Sequence, residues 1–292
     1  MRKQFKNTVM DLASNDPSIV LLMGDISVYL FKEFQELYPE RFYNVGICEN
    51  TLVSMAAGMA SQEMTPFVHT IAPFITERSL EQIKLDLSYN KFPANIVTCG
   101  ASFDYAWDGA THHCMTDLAM LRLLPHMEVL QPGSQTELDT LLRQSYKSGN
   151  PTYYRLSDYP HTLDTNIEFG KGSILRDSGA PLTVVTAGPI LGNVVEACKD
   201  SAVNILYFPT IKPFDYELLA QFSHTDILVV HDAFGLYEAV NEVSGLKTRY
   251  HGLQDAYCAC YGTLEDIRTT LGLDVGGIRE AVQQAGVDFF AR

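Results

Sequence analysis

Positive charge is scarce in this sequence. Lys and Arg number 21 against 35 Asp and Glu, giving a formal net charge of −14 at neutral pH. Nucleic acid and anionic membrane surfaces call for clustered Lys and Arg, so neither is expected as a partner. An anionic small molecule, which a few local arginines can hold, is still compatible. Long apolar runs are missing too: nothing approaches the roughly 18 residues that a membrane-crossing helix needs. The opening stretch MRKQFKNTVMDLASND has the pattern of an amphipathic helix with no long apolar centre, unlike a secretory leader. The six cysteines include no CxxC pair, and Cys258 and Cys260 are poorly spaced for zinc. Reduced thiols in a cytoplasmic protein are therefore expected, with no metal ligands of its own. Also absent are GxGxxG, GxxxxGK followed by Ser or Thr, G-x-S-x-G and HExxH. With them go the usual marks of dinucleotide sites, P-loops, serine hydrolases and zinc proteases.

What remains is an ordinary globular composition, 46% hydrophobic and 19% charged over 292 residues, enough for two domains. Short apolar runs bounded by turn residues predict strands at 19–25, 42–46, 65–70, 94–100 and 151–157. Helical patterns lie between them at 51–62, 74–90, 115–124 and 134–148. A polar, turn-rich segment follows, and then LTVVTAG, NILYFPT and DILVVHD begin a second unit of the same kind. The expected fold is α/β in two domains, each a mostly parallel sheet flanked by helices: 1–165, a linker at 166–180, and 181–292. Ligands bind at the carboxyl ends of such strands, and Asp25, Gly46 and Gly100 each close a run.

Two stretches there invite chemistry. In NVGICENTLVSMAAGMA, Glu49 stands before a run of small and apolar residues. An acidic residue in the first turn of a helix gains about 0.3–1 kcal/mol from the helix dipole, which would be reason enough for it. The alternative is a carboxylate working in a dry place. WDGATHHC, at 107–114, sets a turn before adjacent histidines, with Thr111 a possible helix cap. Neighbouring helical residues point roughly 100° apart, so His112 and His113 should not share a metal. One is expected to pack or cap while the other is exposed.

The order of motifs is more specific than any one of them. Asp25 ends a strand; PERFYNVGICEN, TPFVHTIAPF, RSLEQI, DGATHH and PTYYR follow, then PTIKPFD and YGTLEDI. This succession resembles the carboxyl-terminal half of the transketolase family: a pyrimidine-binding domain followed by a transketolase C-terminal domain. In that family the Glu matching Glu49 hydrogen-bonds a ring nitrogen of the thiamine aminopyrimidine and so helps to activate the cofactor. The resemblance thus implies a cofactor, thiamine diphosphate, and a catalytic Glu49. It also implies a cofactor wall of Asp25, Phe74 and Ile71, the last replacing a second aromatic. His112 matches a residue that bonds the sugar and helps move protons, and Asp108 its neighbour at the substrate hydroxyls. Arg155 and Arg2 match arginines that hold a substrate phosphate.

Gly100 stands where family members usually carry a histidine, and Tyr29 where they carry a serine near the phosphate. Both departures fall on the distal substrate pocket. The family's diphosphate and Mg2+ (or Ca2+) site needs a G-D-G followed by an Asn-bearing turn, and GDI at 24–26 and DG at 108–109 do not supply it. The resemblance therefore implies the small subunit of a split transketolase. Its partner would be a separately encoded thiamine diphosphate/Mg-binding subunit, in an α2β2 assembly acting on sugars or sugar phosphates. Other readings are a subunit of a deoxyxylulose-phosphate synthase-like enzyme, a 2-oxo acid dehydrogenase β-like subunit, or a non-catalytic regulatory subunit.

Overall fold

Strands buried on both faces need no alternation of polar and apolar residues, and the strongest runs of this sequence have none. In the computed structural model, which describes residues 1–290, they become the centres of two sheets. The strands are β1 (Ile19–Met23), β2 (Phe42–Asn44), β3 (Thr65–Ile71), β4 (Asn95–Cys99), β5 (Glu128–Leu130) and β6 (Thr152–Arg155), then β7 (Ser173–Arg176), β8 (Leu182–Thr186), β9 (Asn204–Tyr207), β10 (Thr210–Lys212), β11 (Asp226–His231) and β12 (Lys247–Gly252). The first sheet has seven strands in the order β10-β5-β6-β4-β3-β1-β2, and the second five, β12-β11-β8-β9-β7. Neighbours run parallel except β10 on β5 and β7 on β9. The α/β architecture with two mostly parallel sheets is as expected.

Strand placement differs from the sequence reading at the sheet edges. The linker expected at 166–180 contains β7, which forms an edge of the second sheet. Conversely, β10 leaves the second half of the chain to close an edge of the first sheet. The halves are also joined through their interiors. One apolar cluster runs from Leu52, Val68 and Ile96 to Val185, Leu206 and Leu236. Polar bonds cross the same seam: Gln131 Oε1 lies 2.8 Å from His231 Nε2, and the Tyr207 hydroxyl donates to Glu137 at 2.6 Å.

The helix expected at 74–90 is broken. It runs Ala72–Thr76, resumes at Leu80–Gln82, and continues as a wide π-type turn over Ile83–Tyr89. The interruption frees Arg78 to turn back towards the sheet. Thr111 caps no helix; it ends a short tight turn over Ala106–Thr111, and the next helix starts at Asp117. All six cysteines are free. Among the described residues, no helix is long and apolar enough to cross a membrane.

Candidate active site

In chain order the first sheet passes from β1 out to β2, then returns across β1 to β3 and β4. That reversal opens a crevice above the carboxyl ends of β1 and β3, the usual ligand position in an open α/β sheet. The backbone there is tightly turned: Asp25 and Ser27 both adopt φ of 60°, a left-handed conformation uncommon for residues with a side chain. Asp25 is exposed and anchored by Asn44, whose amide nitrogen donates to its carboxylate at 2.9 Å.

Glu49 is the first residue of the helix Glu49–Ala60, which packs against β3. Its side chain is only 1% exposed. The Thr70 hydroxyl donates to Oε1 at 3.1 Å, and Arg78 Nη1 donates to Oε2 at 2.8 Å. Each carboxylate oxygen retains a further lone pair, so an additional donor can be accepted. Arg78 also lies over the Phe74 ring at 4.8 Å, and the edge of that ring meets His112 at 5.1 Å. A buried carboxyl, a half-buried aromatic face and an imidazole thus converge within one crevice. Helix-end placement alone would account for an acidic residue at 49, but not for its burial and two side-chain donors.

The two histidines separate, though neither is fully exposed. His113 is buried against Phe103 and bonds the Ala106 carbonyl, and burial lowers its pKa. His112 is half-buried in the crevice, with Nδ1 2.9 Å from the Thr111 hydroxyl. Asp108 is exposed beside it. The turn they share needs Gly109, whose φ is 73° and whose missing side chain makes room for Tyr261 of the second unit. Ile71 is half-buried at the end of β3, next to Gly100.

Gly100 has φ of 77°, and a Cβ there would meet the Tyr105 ring at 2.5 Å. The space left by the absent side chain is therefore filled by Tyr105. That ring lies 6.1 Å from His112, and its hydroxyl contacts Cys99 Sγ at 3.5 Å. Tyr105 was not singled out from the sequence, and neither were Thr70, Arg78, His69 or Ser27. His69 is wholly buried on β3, with Nδ1 on the Val97 carbonyl at 2.7 Å and Nε2 on Ser27 Oγ at 3.1 Å. A carbonyl can only accept, so Nδ1 carries the proton and the Ser27 hydroxyl donates to Nε2. Burial pulls the His69 pKa down to about 4, which keeps the ring neutral.

Arg155 is not brought to the crevice. On β6 it shares a face with Tyr153, as residues two apart must, and that face looks towards the helix Asp117–Leu123. Its side chain has no exposure, and Nε donates to Asp117 at 2.7 Å. Nη1 donates to Ser102 Oγ at 3.0 Å and Nη2 to the Cys114 carbonyl at 2.7 Å. Ser102 and Cys114 form a β-bridge at the base of the loop bearing Asp108 and His112. The guanidinium expected to hold substrate instead ties that loop together. Burial opposes its charge, but Asp117 and Asp232 outweigh burial and raise its pKa. Arg2 does reach the crevice rim, where it pairs with Asp158 at 2.9 Å. Among the described residues, no group of three or more His, Cys, Asp or Glu side chains is placed to hold a metal ion.

The chain is similar to known proteins. The family model described as transketolase, pyrimidine binding domain, matches residues 1–158. An apulose-4-phosphate transketolase subunit of Phocaeicola vulgatus is 30% identical over 298 residues, covering 95% of this chain and 94% of that one. The 1-deoxy-D-xylulose-5-phosphate synthase of Thermus thermophilus is 30% identical over 97% of this chain, which spans only 48% of that enzyme. A solved structure described as a split gene transketolase, inactive beta4 tetramer, superposes with a TM-score of 0.87 at 27% identity over 98% of both chains. Carrying the pyrimidine-binding domain over more than half its length, this chain belongs to the transketolase family.

Proposed function

We propose that the chain is the small, pyrimidine-binding subunit of a split, thiamine diphosphate-dependent transketolase-type enzyme of the cytoplasm. It would move a two-carbon ketol unit from a ketose donor to an aldose-type acceptor. Residues 1–165 would hold the pyrimidine half of the cofactor and residues 181–292 would form the transketolase C-terminal-like unit. The diphosphate and its Mg2+ (or Ca2+) would be held by a separately encoded chain in an α2β2 assembly.

Members of the family depend on thiamine diphosphate, and the crevice residues fit its pyrimidine half. Glu49 offers a buried carboxyl with acceptor capacity to spare, Phe74 a ring face, and Ile71 an apolar wall. When bound, the cofactor supplies the carbanion chemistry that accepts and releases the two-carbon unit. Glu49 holds or shares a proton at the pyrimidine ring nitrogen, and Thr70 and Arg78 fix its orientation. His112 hydrogen-bonds the sugar oxygen at the reacting carbon, with Asp108 beside it for a neighbouring hydroxyl. Arg155 keeps the loop carrying both in place.

The burial of Glu49 within one crevice with Phe74 and His112 carries this reading, supported by full-length similarity to split relatives. The test is ketol transfer by this chain, alone and mixed with its candidate partner, with thiamine diphosphate and magnesium. Activity is expected only in the mixture and is lost in Glu49→Gln. Activity of the chain alone would refute the division of labour. Similarity to 1-deoxy-D-xylulose-5-phosphate synthase supports a second reading, which formation of that product by the mixture would favour.

A further inference from the structure

At the distal end of the crevice the guanidinium is already paired. Arg2 donates from Nε and Nη2 to the two oxygens of Asp158, at 3.2 and 2.9 Å, a bidentate pairing. Its remaining nitrogen, Nη1, is 3.5 Å from Ser27 Oγ, which in turn serves His69. The second arginine assigned to this end, Arg155, is sequestered below the sheet. Behind the pair, Asp104 is buried, accepting from the Ser157 hydroxyl at 2.7 Å and from the Asp158 amide at 2.8 Å. Tyr105, next in the chain, bridges the distance to His112. The rim opens into a recess of about 200 Å3 whose lining includes Arg2, Tyr29, Gln135 and Asp158.

A phosphate entering here would have to take Arg2 from Asp158. That would strand the Asp158 carboxylate beside a dianion, and like charges at such range disfavour the complex. The exposed Lys3 also lines the recess, but a solvated ammonium is a weak substitute for a fork-shaped guanidinium. An uncharged, hydroxylated chain meets no such penalty. The carboxylate accepts from one hydroxyl and the guanidinium donates to another, so the pair can read a polyol without being broken.

Resting on the ketol-transfer reading above, we propose that Asp158 is a specificity-determining residue. It withholds Arg2 from phosphate, so that the distal end of the substrate is an unphosphorylated sugar chain. The pair is about a quarter exposed on each side, so Asp158→Asn should fold normally, as circular dichroism can verify.

Calorimetric titration of the full chain with ribose 5-phosphate gives the first arm. The parent should show no saturable binding. Asp158→Asn should bind it saturably, at least about tenfold more tightly than the weakest Kd the titration resolves, and that binding should vanish when Arg2→Gln is added. In the reconstituted two-subunit enzyme, the ratio of kcat/KM for D-ribose over ribose 5-phosphate should favour ribose and fall at least about tenfold in Asp158→Asn. Binding of ribose 5-phosphate by the parent that disappears in Arg2→Gln overturns the proposal, as does an Asp158→Asn protein that also shows no saturable binding. An enzyme that turns over neither sugar defeats the ketol-transfer reading instead, while the titration still judges Asp158.

Discussion

Replacing Arg155 with Met separates two roles that a single arginine on β6 could play. If it held substrate, the variant would fold normally and lose only affinity. The structure argues otherwise. Removing the guanidinium leaves Asp117 buried with Tyr153 as its one remaining side-chain donor, and its Oδ1 already has no partner. It also strips Ser102 and the Cys114 carbonyl of their Arg155 donors and removes from Asp232, 3.9 Å away, one of the two arginines that favour its charge. Deleting one member of a buried ion pair costs about 3–5 kcal/mol, because the surviving charge is stranded. For a chain of this size that corresponds to a fall in Tm on the order of 10 °C. Thermal unfolding followed by circular dichroism reads this directly. Because a pair of apolar residues can replace a buried ion pair at little cost, adding Asp117→Leu should recover part of the loss. An Arg155→Met protein that melts with the parent but fails to bind a sugar would refute the reasoning and restore a substrate-facing arginine.

Gly100→Ala should lose about 1–2 kcal/mol from its left-handed backbone alone, and more as Tyr105 is displaced, measured by urea unfolding; an unchanged midpoint would mean that Tyr105 does not occupy that space. Asp104 titrates differently in the folded protein, where burial pushes its pKa up from 3.8 to about 7. The folded state then holds a proton that the unfolded state has released, so its contribution to stability falls between about pH 4 and 7, by on the order of 4 kcal/mol. His69 acts in the opposite sense: held at about 4 against an ordinary 6.5, it gives stability above pH 6.5 that is lost as pH falls through 4. The Asp104 effect must therefore be taken as the difference between Asp104→Asn and the parent in unfolding series across this range. Identical pH slopes would refute it.

The central strands were legible because burial on both faces leaves uninterrupted apolar runs, as in IVLLM and NIVTC. The strands that the sequence did not reveal are short or at edges. Glu128–Leu130 and Thr210–Lys212 have three residues each, and Lys247–Gly252 is partly exposed along its length. Their pairing is decided by neighbours distant in the chain. The break at Arg78 has the same origin: helical periodicity runs through 74–90, but a tertiary bond to Glu49 interrupts it.

Glu49, Phe74 and His112 were found through motif order, and the structure places them in one crevice. Arg155 came from the same motifs, yet a strand sends alternate side chains to opposite faces, and residue type gives no clue to which face holds the acid. Asp158, Asp104 and Tyr105 carry no pattern of their own. Their importance arises from what Arg2 and Gly100 leave open, which only the folded chain displays.

The central claim is that Glu49 tunes the pyrimidine of the cofactor. The most direct measurement is proton exchange at the thiazolium C2 of thiamine diphosphate, followed by quenched-flow NMR in the two-subunit complex. Rapid exchange is expected in the parent complex, slowing by about a hundredfold or more in Glu49→Gln with cofactor still bound. Equal exchange rates in the two complexes would contradict the claim.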